Sequence, residues 1–221
     1  MNKNMPASRV PSLAAPLAHR DIITAYARWA PVYDIVFGAI MAWGRRAAVN
    51  AIPARARDVI ELGVGTGMSL PYYSPRTRVT AVDLSPDMLS CARRRVAAHR
   101  LTNIAAILEM DNCALEFDDD SFDAAVAMYV VTCVPDPQRM LDEAHRVVRP
   151  GGRVVIVSRF AAERGPRAAF GRALTPVGQQ LGFNTTVTIG SLADRPELPL
   201  RSNRPAGLAG YYRLLEFEVV K

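Results

Sequence analysis

Cysteine and histidine are scarce in this chain, and their scarcity excludes several kinds of site. There are only three of each among 221 residues. The cysteines, Cys91, Cys113 and Cys133, are odd in number and form no C-x-x-C pair, which disfavours a disulfide framework or a zinc cluster. We therefore expect reduced thiols, a cytoplasmic setting and no metal.

Long apolar runs are missing as well. The longest, Ile35 to Trp43, is far below the roughly twenty residues that a bilayer-spanning helix needs. The N-terminus also lacks the apolar core of a secretory signal. Half of the residues are hydrophobic, and this chain length suits one α/β domain. We expect residues 1–20 to be a flexible tail in front of the folded part.

The positive charge is unevenly distributed along the chain. Residues 1–57 contain eight basic and two acidic residues, so the net charge of this segment, +6, equals that of the whole chain. Residues 58–221 contain equal numbers of basic and acidic residues. Such asymmetry is typical of a surface that meets an anionic partner, either nucleic acid or an acidic membrane.

The same segment carries an aromatic stripe at helical spacing. Apolar residues recur at steps of three and four, with a break at Pro31: Ile22, Tyr26, Trp29, Tyr33, Phe37, Ile40 and Trp43. Basic residues among tryptophan and tyrosine are typical of a bilayer interface. Residues 21–55 are therefore predicted to form an amphipathic helical element that covers the active site, contacts an anionic membrane, or both; we expect no nucleic-acid partner.

A glycine-rich turn follows the first predicted strand. The segment reads Glu61-Leu-Gly-Val-Gly-Thr-Gly67 and places glycines at 63, 65 and 67. About twenty residues later a second strand ends at Asp83, which is the usual position of a ribose-binding acid. A dinucleotide turn reads G-x-G-x-x-G, and Glu61 would repel a pyrophosphate. The carboxylate suits the amino and sulfonium groups of S-adenosylmethionine instead.

The rest of the chain alternates strands with helices. Strands are expected at 58–62, 78–83, 104–110, 122–129 and 153–158, and two closing strands around 184–189 and 211–219. Helices are expected from residue 86, at 137–148 and near 168–180. A turn is expected at 149–152. This pattern predicts a Rossmann-like, seven-stranded, mainly parallel sheet with helices on both faces. Further cofactor contacts are expected near the strand ends, from Leu84, Met88, Met110, Asp111 and Met128.

Several of these motifs together resemble one family. The glycine turn resembles the first motif of the class I methyltransferases, for which residues 56–221 would form the domain. The stretch Tyr26-Ala-Arg-Trp-Ala-Pro-Val-Tyr-Asp34, with Val82-Asp-Leu-Ser-Pro-Asp-Met88 and Val134-Pro-Asp-Pro137, resembles the bacterial phosphatidylethanolamine N-methyltransferases of the soluble, membrane-peripheral type.

The resemblance implies stepwise methylation of the amine of phosphatidylethanolamine towards phosphatidylcholine, at the inner face of the cell membrane. Aromatic faces accommodate the methylated ammonium that forms, and the candidates are Tyr26, Tyr33 and Tyr129, with Trp29 as a further contact or an interface anchor. Arginine suits the headgroup phosphate through its bidentate fork, and the candidates are Arg45, Arg46 and Arg159.

Two other interpretations stay open at this point. Quinone-biosynthesis methyltransferases also carry a Tyr-Asp segment before their first strand, so the acceptor could be a quinol or another small molecule. A catalytically silent protein could use the same fold to sense or scaffold, although it need not retain Glu61, the glycines and Asp83.

Overall fold

The described part of the chain forms a sheet of seven strands. The computed structural model describes residues 41–162, 186–207 and 211–221. The strands are β1 (Asp58–Leu62), β2 (Arg78–Asp83), β3 (Ile104–Glu109), β4 (Phe122–Met128), β5 (Val148–Ser158), β6 (Leu200–Ala206) and β7 (Tyr212–Glu218), in the spatial order β3-β2-β1-β4-β5-β7-β6. The first five are parallel, and β7 is antiparallel to both β5 and β6. The predicted mainly parallel, seven-stranded sheet is confirmed.

Four α-helices and one short 3-10 helix (Leu70–Tyr72) accompany the sheet in the described part of the chain. Helix α1 comprises the helical residues 41–50, followed by α2 (Pro86–His99), α3 (Pro137–Val147) and the short α4 (Ile189–Ala193). The predicted cap of α2 is confirmed, because Ser85 Oγ accepts a hydrogen bond from Met88 N and Pro86 occupies the first helical position. Asp136 caps α3 in the same way. None of the described helices has the length and apolarity to cross a bilayer.

Helices cover both faces of the sheet. On one face, Ala48 and Val49 of α1 and Leu89 of α2 pack with Val59 of β1. On the other face, side chains of α3 and α4 pack with the alternate residues of the same strand: Met140, Leu141, Leu192, Ile60 and Leu62. Because both faces of the central strands are buried, those strands read as continuous apolar runs, as expected for a parallel sheet.

The prediction for one closing strand is wrong. Of the residues expected there (184–189), the described ones turn into α4, whose capping box joins Thr188 and Ser191. The sixth strand lies later, at Leu200–Ala206, where the sequence contains arginines and a proline. It is an edge strand, where proline is tolerated, and its arginines pair with acids of β7, such as Arg204 with Glu216.

Several strand and helix boundaries differ from the predictions, most of them by one residue, and two predicted regions lie outside the described residues. Strand β5 begins at Val148, not Arg153, because Val148 pairs with Phe122 before a register shift. Strand β4 ends at Met128, because Tyr129 takes a left-handed backbone conformation with φ of 62°. The predicted helix near 168–180, the predicted tail at residues 1–20 and residues 21–40 of the predicted amphipathic element lie outside the described residues.

Candidate active site

A cleft opens where strands β1, β2 and β4 end. It encloses about 1160 Å³, including its open mouth, and its lining is mainly apolar with a few acidic groups. Parallel strands direct their carboxyl ends to one edge of the sheet, which is where ligands bind in open α/β folds. The position of the cleft and its mainly apolar lining are those of a small-molecule site.

The glycine turn forms one wall of the cleft and is tied to Asp83. Gly65 N donates a hydrogen bond of 2.8 Å to Asp83 Oδ2, and Ser85 N donates one of 3.0 Å to Oδ1. Gly63 has a φ of 68°, and a Cβ there would overlap the Val130 side chain, so only glycine fits. Burial raises the pKa of Asp83, although backbone hydrogen bonds from Ser85, Gly65 and Leu84 oppose that rise.

Glu61 lies almost fully buried behind the glycine turn. It is 2% exposed, and Ser69 Oγ donates a hydrogen bond to its Oε1. Its Oε2 and the Tyr73 hydroxyl are both buried and have no hydrogen-bond partner among the described residues. Burial raises the pKa of Glu61 to about 7, against the opposing effects of the Ser69 hydrogen bond, the nearby Tyr73 hydroxyl and the charge of Arg45. An unpaired buried oxygen of this kind is costly unless a ligand donates to it.

The end of β3 contributes a third acidic group. Asp111 lines the cleft, and its Oδ1 accepts a hydrogen bond of 2.8 Å from Cys113 N. Asn112 also lines the cleft; it is buried, and its Oδ1 has no partner among the described residues. Met110 does not line the cleft, because its sulfur points to Glu116 N at 3.4 Å.

Tyr129 and Arg45 meet at the wall of the cleft formed by β4 and α1. The Tyr129 hydroxyl donates a hydrogen bond of 3.1 Å to Met41 O, and its ring contacts Tyr212 edge to face, with centroids 5.2 Å apart. The Arg45 guanidinium lies 5.6 Å from the centroid of the Tyr129 ring, within the range of a cation–π contact. Arg45 itself is 8% exposed.

The cleft brings together most of the predicted cofactor residues, but fewer of the predicted substrate residues. Glu61, Gly63, Gly65, Asp83, Leu84, Met88, Asp111 and Met128 all line it. Gly67 does not; it packs against Ala92 of α2. Arg46 is exposed and lies over the Tyr72 ring, and Arg159 is exposed as well, so neither lines the cleft. Tyr26, Trp29 and Tyr33 lie outside the described residues.

Ser69, Tyr73 and Asn112 are functional candidates that sequence reasoning did not select. The first two carry no motif, and only the fold of the turn places Tyr73 beside Glu61. Asn112 had a detectable signal, since it follows Asp111 directly at a strand end, where side chains point into the crevice of such folds.

The donor and acceptor groups of the cleft fit S-adenosylmethionine. Asp83 presents oxygens suited to ribose hydroxyls, Asp111 and Asn112 present acceptors suited to an adenine amine, and the buried Oε2 of Glu61 suits a cationic amine. No group of metal-ligating residues occurs among the described parts of the chain. The sheet order and this glycine turn define an S-adenosylmethionine-dependent methyltransferase of class I.

Comparisons with known proteins agree with this class. Residues 60–156 match the family model described as a methyltransferase domain. The chain is 40% identical, over 193 residues, to a phosphatidylethanolamine N-methyltransferase of Cereibacter sphaeroides, covering 87% of this chain and 95% of that protein. It therefore belongs to the bacterial phosphatidylethanolamine N-methyltransferase family. A demethylmenaquinone methyltransferase of Thermus thermophilus is 35% identical over 150 residues, which are 64% of this chain and 66% of that protein.

Solved structures show the same fold at low sequence identity. An N-methyltransferase of Haemonchus contortus, in complex with phosphomonomethylethanolamine and S-adenosylhomocysteine, has a TM-score of 0.70 at 15% identity, over 93% of this chain and 61% of that one. A geranyl diphosphate C-methyltransferase of Streptomyces coelicolor, with Mg²⁺, geranyl diphosphate and S-adenosylhomocysteine, has a TM-score of 0.72 at 14% identity, over 94% and 100%.

Proposed function

We propose that this methyltransferase methylates the amine of phosphatidylethanolamine, stepwise towards phosphatidylcholine, at the surface of the membrane. The observation that carries the proposal is the extent of the similarity. The alignment with the phosphatidylethanolamine N-methyltransferase spans 193 residues, far beyond the matched methyltransferase domain at 60–156, whereas the one with the Thermus thermophilus demethylmenaquinone methyltransferase spans 150. A quinol remains the second candidate acceptor because of that relative.

The residues of the cleft have a limited chemical task in this reaction. The bound S-adenosylmethionine supplies an electrophilic methyl group, so positioning of the acceptor accounts for most of the rate. The amine must be neutral to attack, although an unperturbed primary amine has a pKa of about 10.4. The apolar lining around Met41, Met128 and Val134 lowers that pKa by desolvation.

The aromatic cage for the methylated ammonium is only partly within the described residues. Tyr129 lines the cleft, but its hydroxyl is engaged with Met41 O and its ring contacts the Arg45 guanidinium. Tyr129 can therefore border the acceptor without surrounding it. Tyr26, Tyr33 and Trp29 stay the predicted remainder of the cage.

The acceptor is tested by incubating the protein with labelled S-adenosylmethionine and either phosphatidylethanolamine vesicles or a reduced demethylquinone. We expect labelled mono-, di- and trimethylated lipid, with at least tenfold greater turnover of lipid than of quinol. Vesicles of phosphatidylcholine alone, which has no free amine, are the control. Turnover of the quinol without any lipid product would refute the proposed function.

We also propose that the N-terminal element binds the anionic inner surface of the membrane. Trp43 of α1 is 59% exposed, and the segment before β1 carries the whole net charge. Each basic residue near an anionic surface contributes about 1 kcal/mol. Arg45 is not one of them, because it is buried in the cleft.

Sedimentation with vesicles tests this membrane contact. Binding is expected to rise with phosphatidylglycerol content and to fall as salt is added, because salt screens the attraction. Trp43→Ala should weaken binding several-fold, while Leu108→Ala, which removes a partly exposed side chain of the edge strand β3, should not. Equal binding to neutral vesicles at high salt would contradict the electrostatic contribution.

A further inference from the structure

Arg45 is the cation of the cleft. Among the residues that the structure describes, no other lysine or arginine lines it, whereas the acids Glu61, Asp83 and Asp111 all do. A guanidinium that is 8% exposed has lost most of its hydration, and that loss is unfavourable unless other groups compensate for it. Among its described neighbours, Arg45 donates to Met41 Sδ at 3.9 Å and lies beside the Tyr129 ring, and its place in the cleft lets it meet an anionic group of a ligand bound there.

The position of Arg45 is fixed by contacts with Tyr129. The Tyr129 hydroxyl donates to Met41 O, and Met41 precedes Arg45 by one helical turn on the same face of α1. Between them lies Gly44, where a Cβ would overlap the Tyr129 hydroxyl. The tyrosine thus holds the helix close to β4 and keeps the guanidinium beside its own ring.

The backbone of Tyr129 indicates that this arrangement is enforced. Its φ of 62° is unusual for a bulky residue. The conformation is stabilised by a hydrogen bond of 2.7 Å from Tyr129 N to Val157 O and by the edge contact with Tyr212. Strained residues that the surrounding structure holds in place are concentrated at functional sites.

We propose that Arg45 binds the phosphodiester of the acceptor headgroup and that Tyr129 is the positioning residue that holds it there. The inference rests on the proposed function and deepens it. Arginine binds phosphate oxygens through two parallel hydrogen bonds, and in phosphatidylethanolamine two carbons separate the phosphate ester from the amine. A fixed guanidinium would therefore place the amine within the cleft at a defined distance from the bound phosphate.

The same chemistry could serve a second anion, the carboxylate of the methionine part of S-adenosylmethionine, because Arg45 lies near enough to Glu61 to lower its pKa. Independent measurements of cofactor binding and acceptor binding distinguish whether Arg45 binds the headgroup phosphate or the cofactor carboxylate. S-adenosylhomocysteine carries the same carboxylate and can be titrated without turnover, and glycerophosphoethanolamine carries the headgroup phosphate without the lipid.

The main experiment compares Arg45→Met and Arg45→Lys with the neighbouring Arg46→Met. A phosphatidylethanolamine with short acyl chains, kept below its micellar concentration, removes the membrane from the assay. We expect Arg45→Met to raise the KM for this substrate at least tenfold with a smaller change in kcat, and Arg45→Lys to raise it less. The dissociation constant of S-adenosylhomocysteine should stay within twofold of the original, and Arg46→Met should leave the KM unchanged.

A second measurement tests binding without turnover. Glycerophosphoethanolamine should bind the protein loaded with S-adenosylhomocysteine, and Arg45→Met should weaken that binding about tenfold; ethanolamine, which lacks the phosphate, should bind equally weakly to both. Tyr129→Phe removes the hydroxyl that holds α1 and should weaken glycerophosphoethanolamine binding several-fold. In the Arg45→Met background the same change should have no further effect.

Each contrary outcome has a distinct meaning. A loss of S-adenosylhomocysteine binding as large as the rise in KM would assign Arg45 to the cofactor carboxylate and overturn the proposal. An equal effect of Arg46→Met, or failure of glycerophosphoethanolamine to bind the unmodified protein, would also overturn it. If the unmodified protein turns over quinol and no lipid, the proposed function fails, whatever the Arg45 variants do.

Discussion

Replacing Asp83 by alanine is expected to weaken binding of S-adenosylhomocysteine by at least about 100-fold. The carboxylate accepts hydrogen bonds from Gly65 N at 2.8 Å and Ser85 N at 3.0 Å, so it holds the glycine turn against the start of α2. Hydrogen bonds to charged groups contribute about 1.5–3 kcal/mol each. The variant would lose the acceptor for the ribose and the geometry of the turn together, and 100-fold equals about 2.7 kcal/mol.

The measurement is isothermal calorimetry on Asp83→Ala, with Asp83→Asn as a second variant. Asparagine keeps one oxygen acceptor but presents an N–H group to a backbone N–H, so we expect a loss of similar size. Asp87→Asn is the matched control, since it removes the same charge from an exposed position on α2 and should leave the affinity within twofold. Near-normal affinity in a folded Asp83→Ala protein would show that this acid does not bind the ribose.

The second large effect is a dependence of S-adenosylmethionine binding on pH through Glu61. Burial raises the pKa of this carboxyl group to about 7 from an ordinary 4.5. The groups that face it are Ser69, Tyr73, Arg45 and, at longer range, Asp83. A cationic amine and sulfonium beside Oε2 would favour the ionised form, so binding near neutral pH should release a proton.

The sign of the effect follows from linkage. Without ligand, the folded protein retains the Glu61 proton between about pH 4.5 and 7, whereas the unfolded chain has released it. The contribution of this group to the free energy of unfolding is therefore fully present below pH 4.5 and is lost as the pH rises to about 7. Ligand binding has the opposite dependence: affinity should rise from pH 5.5 to 7.5, by up to about tenfold per pH unit below the pKa.

Glu61→Gln separates this titration from other effects of pH. The amide has no proton to release, so its affinity for S-adenosylmethionine should be weaker at pH 7.5 and nearly constant over the same range. Calorimetry in two buffers with different ionisation enthalpies measures the released proton directly. An unmodified protein whose affinity is constant from pH 5.5 to 7.5, without proton release, would contradict the assignment of Glu61 to the cationic part of the ligand.

The alternation of strands and helices could be predicted because its signals are local. The apolar run of β1 and the cap and proline of α2 depend on a few neighbouring residues, and each was confirmed. Strand β6 was missed for the opposite reason. Its residues Leu200–Ala206 contain arginines, an asparagine and a proline, and they form a strand only because β7 offers backbone partners and acidic side chains.

In the candidate site, too, some residues could be predicted from local sequence and others could not. Glu61, Gly63, Gly65 and Asp83 lie within one turn and the adjacent strand end, so their spacing alone indicated the cofactor. Arg45 and Arg46 could not be ranked from sequence, since adjacent helical residues point about 100° apart and the direction of the cleft was unknown. The structure buries Arg45 in the cleft beside Tyr129 and leaves Arg46 outside, over Tyr72.

The sequence by itself determined the class of fold, the methyl donor and the elements that hold it, because strand periodicity, glycine spacing and capping act over short stretches of chain. Only the tertiary structure decided which arginine is buried in the cleft, that Glu61 is buried with one oxygen unpaired, and that Tyr129 is held in a left-handed conformation against α1. Those properties depend on desolvation and on contacts between residues far apart in the chain, such as Tyr129 and Met41. They arise only when the sheet brings β1, β4 and α1 together.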